Sequence, residues 1–159
     1  MSVSKIVAGG QTGVDMAALD FARAHKISYG GWIPKGRTNE SGGIPAEYSG
    51  LVETQSTSVN ERTRLNVQSS GATLVFVDGS ISPGTQQTIV FASEAGKPYL
   101  VIDVRHGLDA CVRQLRDWLR GCPIEVLNVA GPRASEAPGL GAQVRDVLKG
   151  CLAEFTQPK

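Results

Sequence analysis

Short apolar runs rich in β-formers alternate along the chain with longer stretches in which apolar residues recur every three or four positions. The period-two and continuous runs predict strands over 4–8, 31–33, 51–53, 73–77, 98–102 and 124–129. The 3.6-residue period predicts helices over 12–25, 60–69, 85–95, 108–119 and 139–154. Strict alternation of strand and helix is the mark of a parallel sheet covered by helices on both faces, so the expected fold class is α/β, a Rossmann-like open parallel sheet. The runs at 73–77 and 98–102 are apolar throughout, as strands buried on both sides require. Ser58 or Asn60 is placed to cap one helix, and Gly96-Lys97-Pro98 ends another. The one irregular stretch, 34–50, holds four glycines and two prolines and reads as a long ordered loop, a kind of segment that is usually functional.

A length of 159 residues with 41% hydrophobic composition suits one domain spanning 1–159 with an ordinary core. Sixteen basic against fifteen acidic residues leave a net charge of +1, so neither nucleic acid nor an anionic membrane is an expected partner. Any anion must be held locally. Three widely spaced cysteines, Cys111, Cys122 and Cys151, form neither a disulfide framework nor a zinc knuckle and point to a reducing cytoplasm. No apolar run approaches the length of a membrane span, and the N-terminus carries no signal-peptide pattern.

The nineteen glycines concentrate in turns, and three strand-to-helix turns stand out. They are Gly9-Gly10-Gln11-Thr12-Gly13, then Gly79 through Ser82-Pro83-Gly84-Thr85, then Gly131-Pro132-Arg133-Ala134-Ser135. In an open parallel sheet, ligands lie beyond the carboxyl ends of the strands. Helix amino ends there offer free N–H groups and a positive dipole to an anion. Bare glycines let main chain approach a phosphate, although they serve tight turns and close packing equally well. Neither GxGxxG nor GxxxxGK[ST] is present, which argues against a standard dinucleotide site and an ATP-hydrolysing loop.

Arg37, Arg62 and Arg133 adjoin turns that need a counter-charge, and the guanidinium fork suits a phosphate. Lys35, also a candidate contact, and Arg64 read first as solvated surface charges. Trp32 is a candidate to stack on a planar ring, or a core residue at a strand end. Asp15 and Asp78 form a candidate magnesium pair beside a phosphate, or else a helix-dipole partner and a turn residue. His25 and His106 read as surface or capping residues, and the cysteines as packed side chains before metal ligands.

The segments "GGQTGVDMAALDFA", "GGWIPKGRTNESGGIP", "ERTRLNV", "GATLVF", "PGTQQT", "GKPYLVID" and "LNVAGPRAS", in that order, resemble the molybdenum-carrier family. That family is similar to a wider Rossmann-like nucleotide-binding group that includes the Lonely-Guy (lysine-decarboxylase-like) enzymes and the DNA-processing proteins. The resemblance implies a cytoplasmic homo-oligomer, dimer or tetramer, that carries molybdenum cofactor (molybdopterin) toward molybdoenzymes. It places the phosphate of a pterin or nucleotide against Gly10, Gln11, Thr12 and Gly13, beside the candidate Gly9, with Gly84, Thr85, Arg37 and Arg62 as further contacts; the nature of any protein–metal ligation stays open. One departure bears on chemistry: the related hydrolases carry a catalytic glutamate in PGGxGTxxE, and Thr88 stands at its place here. A hydroxyl cannot replace that acid near neutral pH, so carriage is expected over catalysis. Two alternatives are a nucleotide-processing enzyme and a nucleotide or ADP-ribose sensor; molybdate alone is a smaller ligand than three turns suggest.

Overall fold

A computed structural model describes the chain from residue 3 to residue 156, with side chains as far as 152. The elements in chain order are β1 (Lys5–Val7), α1 (Val14–Ala24), β2 (Ser28–Ile33), β3 (Thr38–Asn39), β4 (Gly42–Gly43), β5 (Leu51–Glu53), α2 (Val59–Gln68), β6 (Ala72–Val77), α3 (Pro83–Glu94), β7 (Tyr99–Asp103), α4 (Leu108–Gly121), β8 (Val126–Ala130) and α5 (Leu140–Thr156). Six strands form one parallel sheet in the order β5-β2-β1-β8-β6-β7. The expected α/β, Rossmann-like architecture is therefore what the chain adopts.

The layering follows from handedness. Right-handed crossovers put helices on one face when the chain steps along the sheet in one direction, and on the other face when it steps back. The steps β1 to β2 and β7 to β8 run one way, and their helices α1 and α4 share a face with α5. The steps β5 to β6 and β6 to β7 run the other way, and α2 and α3 pack together on the opposite face.

The two faces differ in chemistry. Ala17, Ala18 and Phe21 of α1, Cys111, Leu115 and Leu119 of α4, and Val144, Leu148 and Cys151 of α5 meet Ile6, Leu74, Phe76, Ile102 and Leu127 of the sheet in the main apolar core. The i, i+4, i+8 spacing of the α4 residues makes one apolar stripe. On the other face α2 buries Arg62, Asn66 and Val67, and α3 buries Thr85, Thr88 and Ala92. Thr73 and Asn128 lie buried in the strands between, joined by a 3.2 Å hydrogen bond. Helices that turn polar side chains inward forgo hydrophobic stabilisation there, and such groups persist only with partners.

Three local departures from the pattern have physical causes. Strand β2 starts at Ser28, because Gly30 and Gly31 weaken its signature although the backbone stays paired to β1. Gly31 (φ 137°) passes so near β1 that a Cβ there would lie 2.1 Å from the Ala8 carbonyl oxygen. Helix α3 starts at Pro83, with the Ser82 hydroxyl accepting from the Thr85 amide. The stretch 34–50 contains the antiparallel ribbon β3–β4, and its Ile44 and Tyr48 pack with Ala8, Leu19, Ile33 and Leu51 in a second, smaller apolar cluster.

Gly31→Ala is expected to destabilise the fold by about 3 kcal/mol or more, through strain at positive φ and collision with Ala8. A urea midpoint unchanged from the parent chain would refute that.

Candidate functional site

A cleft of about 200 Å3 opens at the carboxyl edge of the sheet, on the α2 and α3 face. Its walls are Gly9 and Gln11 after β1, Asn128 to Gly131 at the end of β8, the first turns of α2 and α3, and Arg133 with Glu136. The connections after β6 and β8 leave toward opposite faces, so the cleft lies at the switch point where open parallel sheets bind ligands.

Arg62 organises the cleft. Its side chain crosses directly over Gly9, where a Cβ would fall 2.5 Å from the Arg62 Cδ, so a larger residue there would push the guanidinium aside. Nη1 donates to the Gly9 carbonyl at 2.6 Å, Nε donates to the Val59 carbonyl at 3.3 Å, and Asp15 Oδ2 lies 3.9 Å away. The other guanidinium nitrogen, Nη2, has no hydrogen-bond partner among the described residues. Four residues on, Asn66 bonds both the amide and the carbonyl of Trp32, which ties α2 to β2. Trp32 itself does not line the cleft.

Asp15 lies in the cleft at 7% exposure. Burial raises its carboxyl pKa to about 6, against the opposing pull of the Arg62 charge and the amides of Gln11 and Gly9. The cleft thus carries two cations, Arg62 and Arg133, and two carboxyls, Asp15 and Glu136. On α3, Gly84 faces open space, while the Thr88 hydroxyl donates back to the Gly84 carbonyl at 3.3 Å.

The structure brings Gly9, Gln11, Arg62, Gly84, Thr85, Gly131 and Arg133 together around the cleft. It does not place Gly10, Thr12, Gly13, Lys35, Arg37, Gly79 or Ser135 on its walls. Gly10 (φ 78°) packs against Ile33 and Ile44, and Gly13 (φ 80°) against the backbone of residues 132–134. Lys35 is exposed, and Gly79 lies under Arg105. Arg37 donates to the Pro45 and Tyr48 carbonyls and braces its own loop. The amides of the first turn are largely engaged within the protein: Gln11 N–H donates to Asp15, Thr12 N–H to the Gln11 side chain, and Val14 N–H to the Pro132 carbonyl.

At the third turn a protein carboxylate sits where an anion was expected. Glu40 accepts from the Ser135 amide at 3.1 Å, from the Ser135 hydroxyl at 2.5 Å and from the Thr12 hydroxyl, with Arg133 Nε 3.9 Å away. Those bonds hold its carboxyl below the usual range. Sequence reasoning missed Glu40, because nothing local marks a residue whose partners lie 28 and 95 positions away. It also missed Asn66 and Asn128; for Asn66 a signal existed, since Arg62 and Asn66 form a polar i, i+4 pair on a helix that lacks an apolar stripe. Of the candidate magnesium pair, only Asp15 reaches the cleft. Among the described residues no group of three or more His, Cys, Asp or Glu side chains gathers as a metal site.

Because the folded-state pKa of Asp15 is raised above its ordinary 3.8, ionisation destabilises the fold, by an amount that grows between about pH 4 and 6 and is full above pH 6. Asp15→Asn is therefore expected to add on the order of 2 kcal/mol at pH 8 and little at pH 4. Urea unfolding of both proteins at each pH tests this, and a difference independent of pH would contradict it.

Residues 6–152 match the model of the circularly permutated YpsA SLOG family. A crystal structure of a "putative molybdenum carrier protein" from Syntrophus aciditrophicus SB is 40% identical, covers 95% of this chain and 96% of its own, and superposes with a TM-score of 0.92. No curated protein matches the chain. The strand order gives permutation a concrete meaning: begun at β8, the chain would number its sheet 4-3-2-1-5-6, winding outward from a single switch point. The chain belongs to the circularly permutated YpsA SLOG family.

Proposed function

We propose that this protein binds and carries a small phosphorylated ring compound, with molybdenum cofactor as the cargo, in the cleft at the switch point. The observation that carries the reading is the inward-facing polar set of α2 and α3. A buried arginine, Arg62, stands beside the first turn of α3, where Gly84 opens to the cleft and Ser82 caps the Thr85 amide, in an otherwise close-packed α/β fold. Arg62 and Arg133 supply charge to a phosphate, the Gly84 amide at the α3 amino end supplies a main-chain donor, and the Gln11 and Asn60 amides can reach a ring edge. At about 200 Å3 the cleft is smaller than the 300–1,000 Å3 typical of small-molecule sites. It therefore takes the phosphate end and part of the ring, with the remainder at the open mouth near the exposed Val59. Cys111 and Cys151 are buried in the core of the opposite face, so the metal of the cargo is not given a protein thiolate by them.

The same reading places the protein in the cytoplasm as a homo-oligomer that hands its cargo to molybdoenzymes. The partly exposed Ile89, Val90 and Phe91 of α3, with Val52 and Val59, supply apolar surface for assembly. The name of the Syntrophus relative supports a carrier role in general terms. No helix among the described residues is long and apolar enough to cross a membrane.

One observation favours a second reading. Asp15, with a pKa near 6 beside Arg62, is equipped as a general acid for cleavage of a nucleotide, which Thr88 is not. Incubation with a nucleotide panel distinguishes the two: released base or phosphate that Asp15→Asn abolishes would establish the enzyme.

For the carrier, Gly84→Asp is the informative variant. Its Cβ meets open space and its carboxylate suits a helix first turn, so the fold and Tm are expected to hold. The added negative charge is expected to weaken cofactor binding by about tenfold or more, equivalent to about 1.4 kcal/mol. Calorimetric titration with molybdenum cofactor that shows no saturable binding to the parent protein would overturn the carrier reading.

A further inference from the structure

The loop 34–50 is anchored unevenly. At its base Ile44 and Tyr48 are buried in the smaller apolar cluster, Arg37 ties the Pro45 and Tyr48 carbonyls, and the Tyr48 hydroxyl donates to Asp20. At its tip Thr38, Glu40, Ser41, Gly42 and Gly43 are exposed, and a Cβ on Gly36, Gly42 or Gly43 would meet nothing within 4 Å. None of residues 38–43 belongs to either apolar cluster of the described residues. The tip is held by polar bonds: the Glu40 carboxylate on Thr12 and Ser135, the Glu40 amide donating to Gln11 Oε1 at 3.0 Å, and Asn39 Nδ2 donating to the Gly10 carbonyl at 2.9 Å.

Two groups that hold the tip also line the cleft. Gln11 bonds the Glu40 amide through its side chain, and Arg133 stands 3.9 Å from Glu40 and 3.6 Å from Glu136. A carboxylate bound by two hydroxyls, one amide and a nearby guanidinium has the donor set that an oxyanion would seek. An exposed polar clasp is also a weak one, because each bond exchanges with water.

We propose that Glu40 is an internal anion that latches the 38–43 tip over the first and third turns, and that an incoming phosphate displaces it by taking Arg133 and the Ser135 donors. The latch rests on the anion-binding reading of the cleft and adds its regulation: binding opens the strap, and loss of the anion lets Glu40 return. Arg133 couples the two events, since one guanidinium cannot serve the ligand and Glu40 equally well. A ligand shifts such an equilibrium only by its preference for one state, and here the preference comes from the donors that Glu40 releases.

The test uses the intact protein and inorganic phosphate. Glu40→Gln keeps the shape and removes the charge, so it is expected to bind phosphate at least about fivefold more tightly than the parent, with the strap already loosened. In the parent protein, saturating phosphate is expected to speed amide hydrogen exchange across residues 38–43 and to slow it at Ser135. Equal affinities in the two proteins, or exchange over 38–43 that phosphate leaves unchanged, would overturn the latch and mark Glu40 as a brace. If the variant does not fold, the exchange measurement on the parent decides alone. Absence of phosphate binding in both proteins also overturns the latch, while the carrier reading is decided separately by the titration with cofactor.

Discussion

The site depends on one buried cation lying across one glycine. Arg62 reaches from α2 over Gly9 to the end of β1, and the contact sets the distance between helix and sheet at the point where the cleft opens. A guanidinium at 9% exposure is tolerable only with partners, and here they are two carbonyl oxygens and the Asp15 carboxyl. Each partner is changed in return. A side chain at Gly9 would displace the guanidinium, and burial outweighs the Arg62 charge in raising the Asp15 pKa. The candidate site and a piece of the architecture share one contact.

That contact is affordable because stability comes from the other side of the sheet. The α1, α4 and α5 face contains the large apolar cluster, with Phe76, Leu115, Leu127 and Leu148 fully enclosed. Burial of this kind contributes about 25 cal/mol per Å2, so one well-packed face can support a second that is largely polar. The division explains why α2 contributes so few apolar residues to the interior and why Thr73 and Asn128 are paired between strands. Charge in the cleft is likewise balanced, Arg62 and Arg133 against Asp15 and Glu136, in a molecule that is itself close to neutral.

Most of the architecture was legible in the sequence, because alternation of strand and helix is a local signal and right-handed connection is a general rule. The parallel sheet and its five helices follow from periodicity, and the errors fall at glycines and caps such as Gly30, Gly31 and Pro83. The site was legible in part. Gly9, Arg62 and Gly84 carry local signs of their role, a bare turn or an arginine opening a helix. For Gly10, Gly13 and Arg37 the same signs belong to packing: a glycine at positive φ looks identical whether it admits a ligand or a neighbouring backbone. Glu40 and Asn128 were invisible, since their roles exist only once distant strands and loops have met.

The placement of β8 has a consequence for how the molecule comes into being. This strand lies between β1 and β6 in the middle of the sheet, yet it follows every other strand in the chain. During synthesis the earlier strands must wait with a gap at their centre, because β1 and β6 have no direct pairing with each other. The floor of the cleft, Asn128 to Gly131, arrives with that late insertion. A nascent chain stalled before residue 126 would therefore have four of its five described helices and no floor to the cleft, so the cleft takes shape only with the whole sheet.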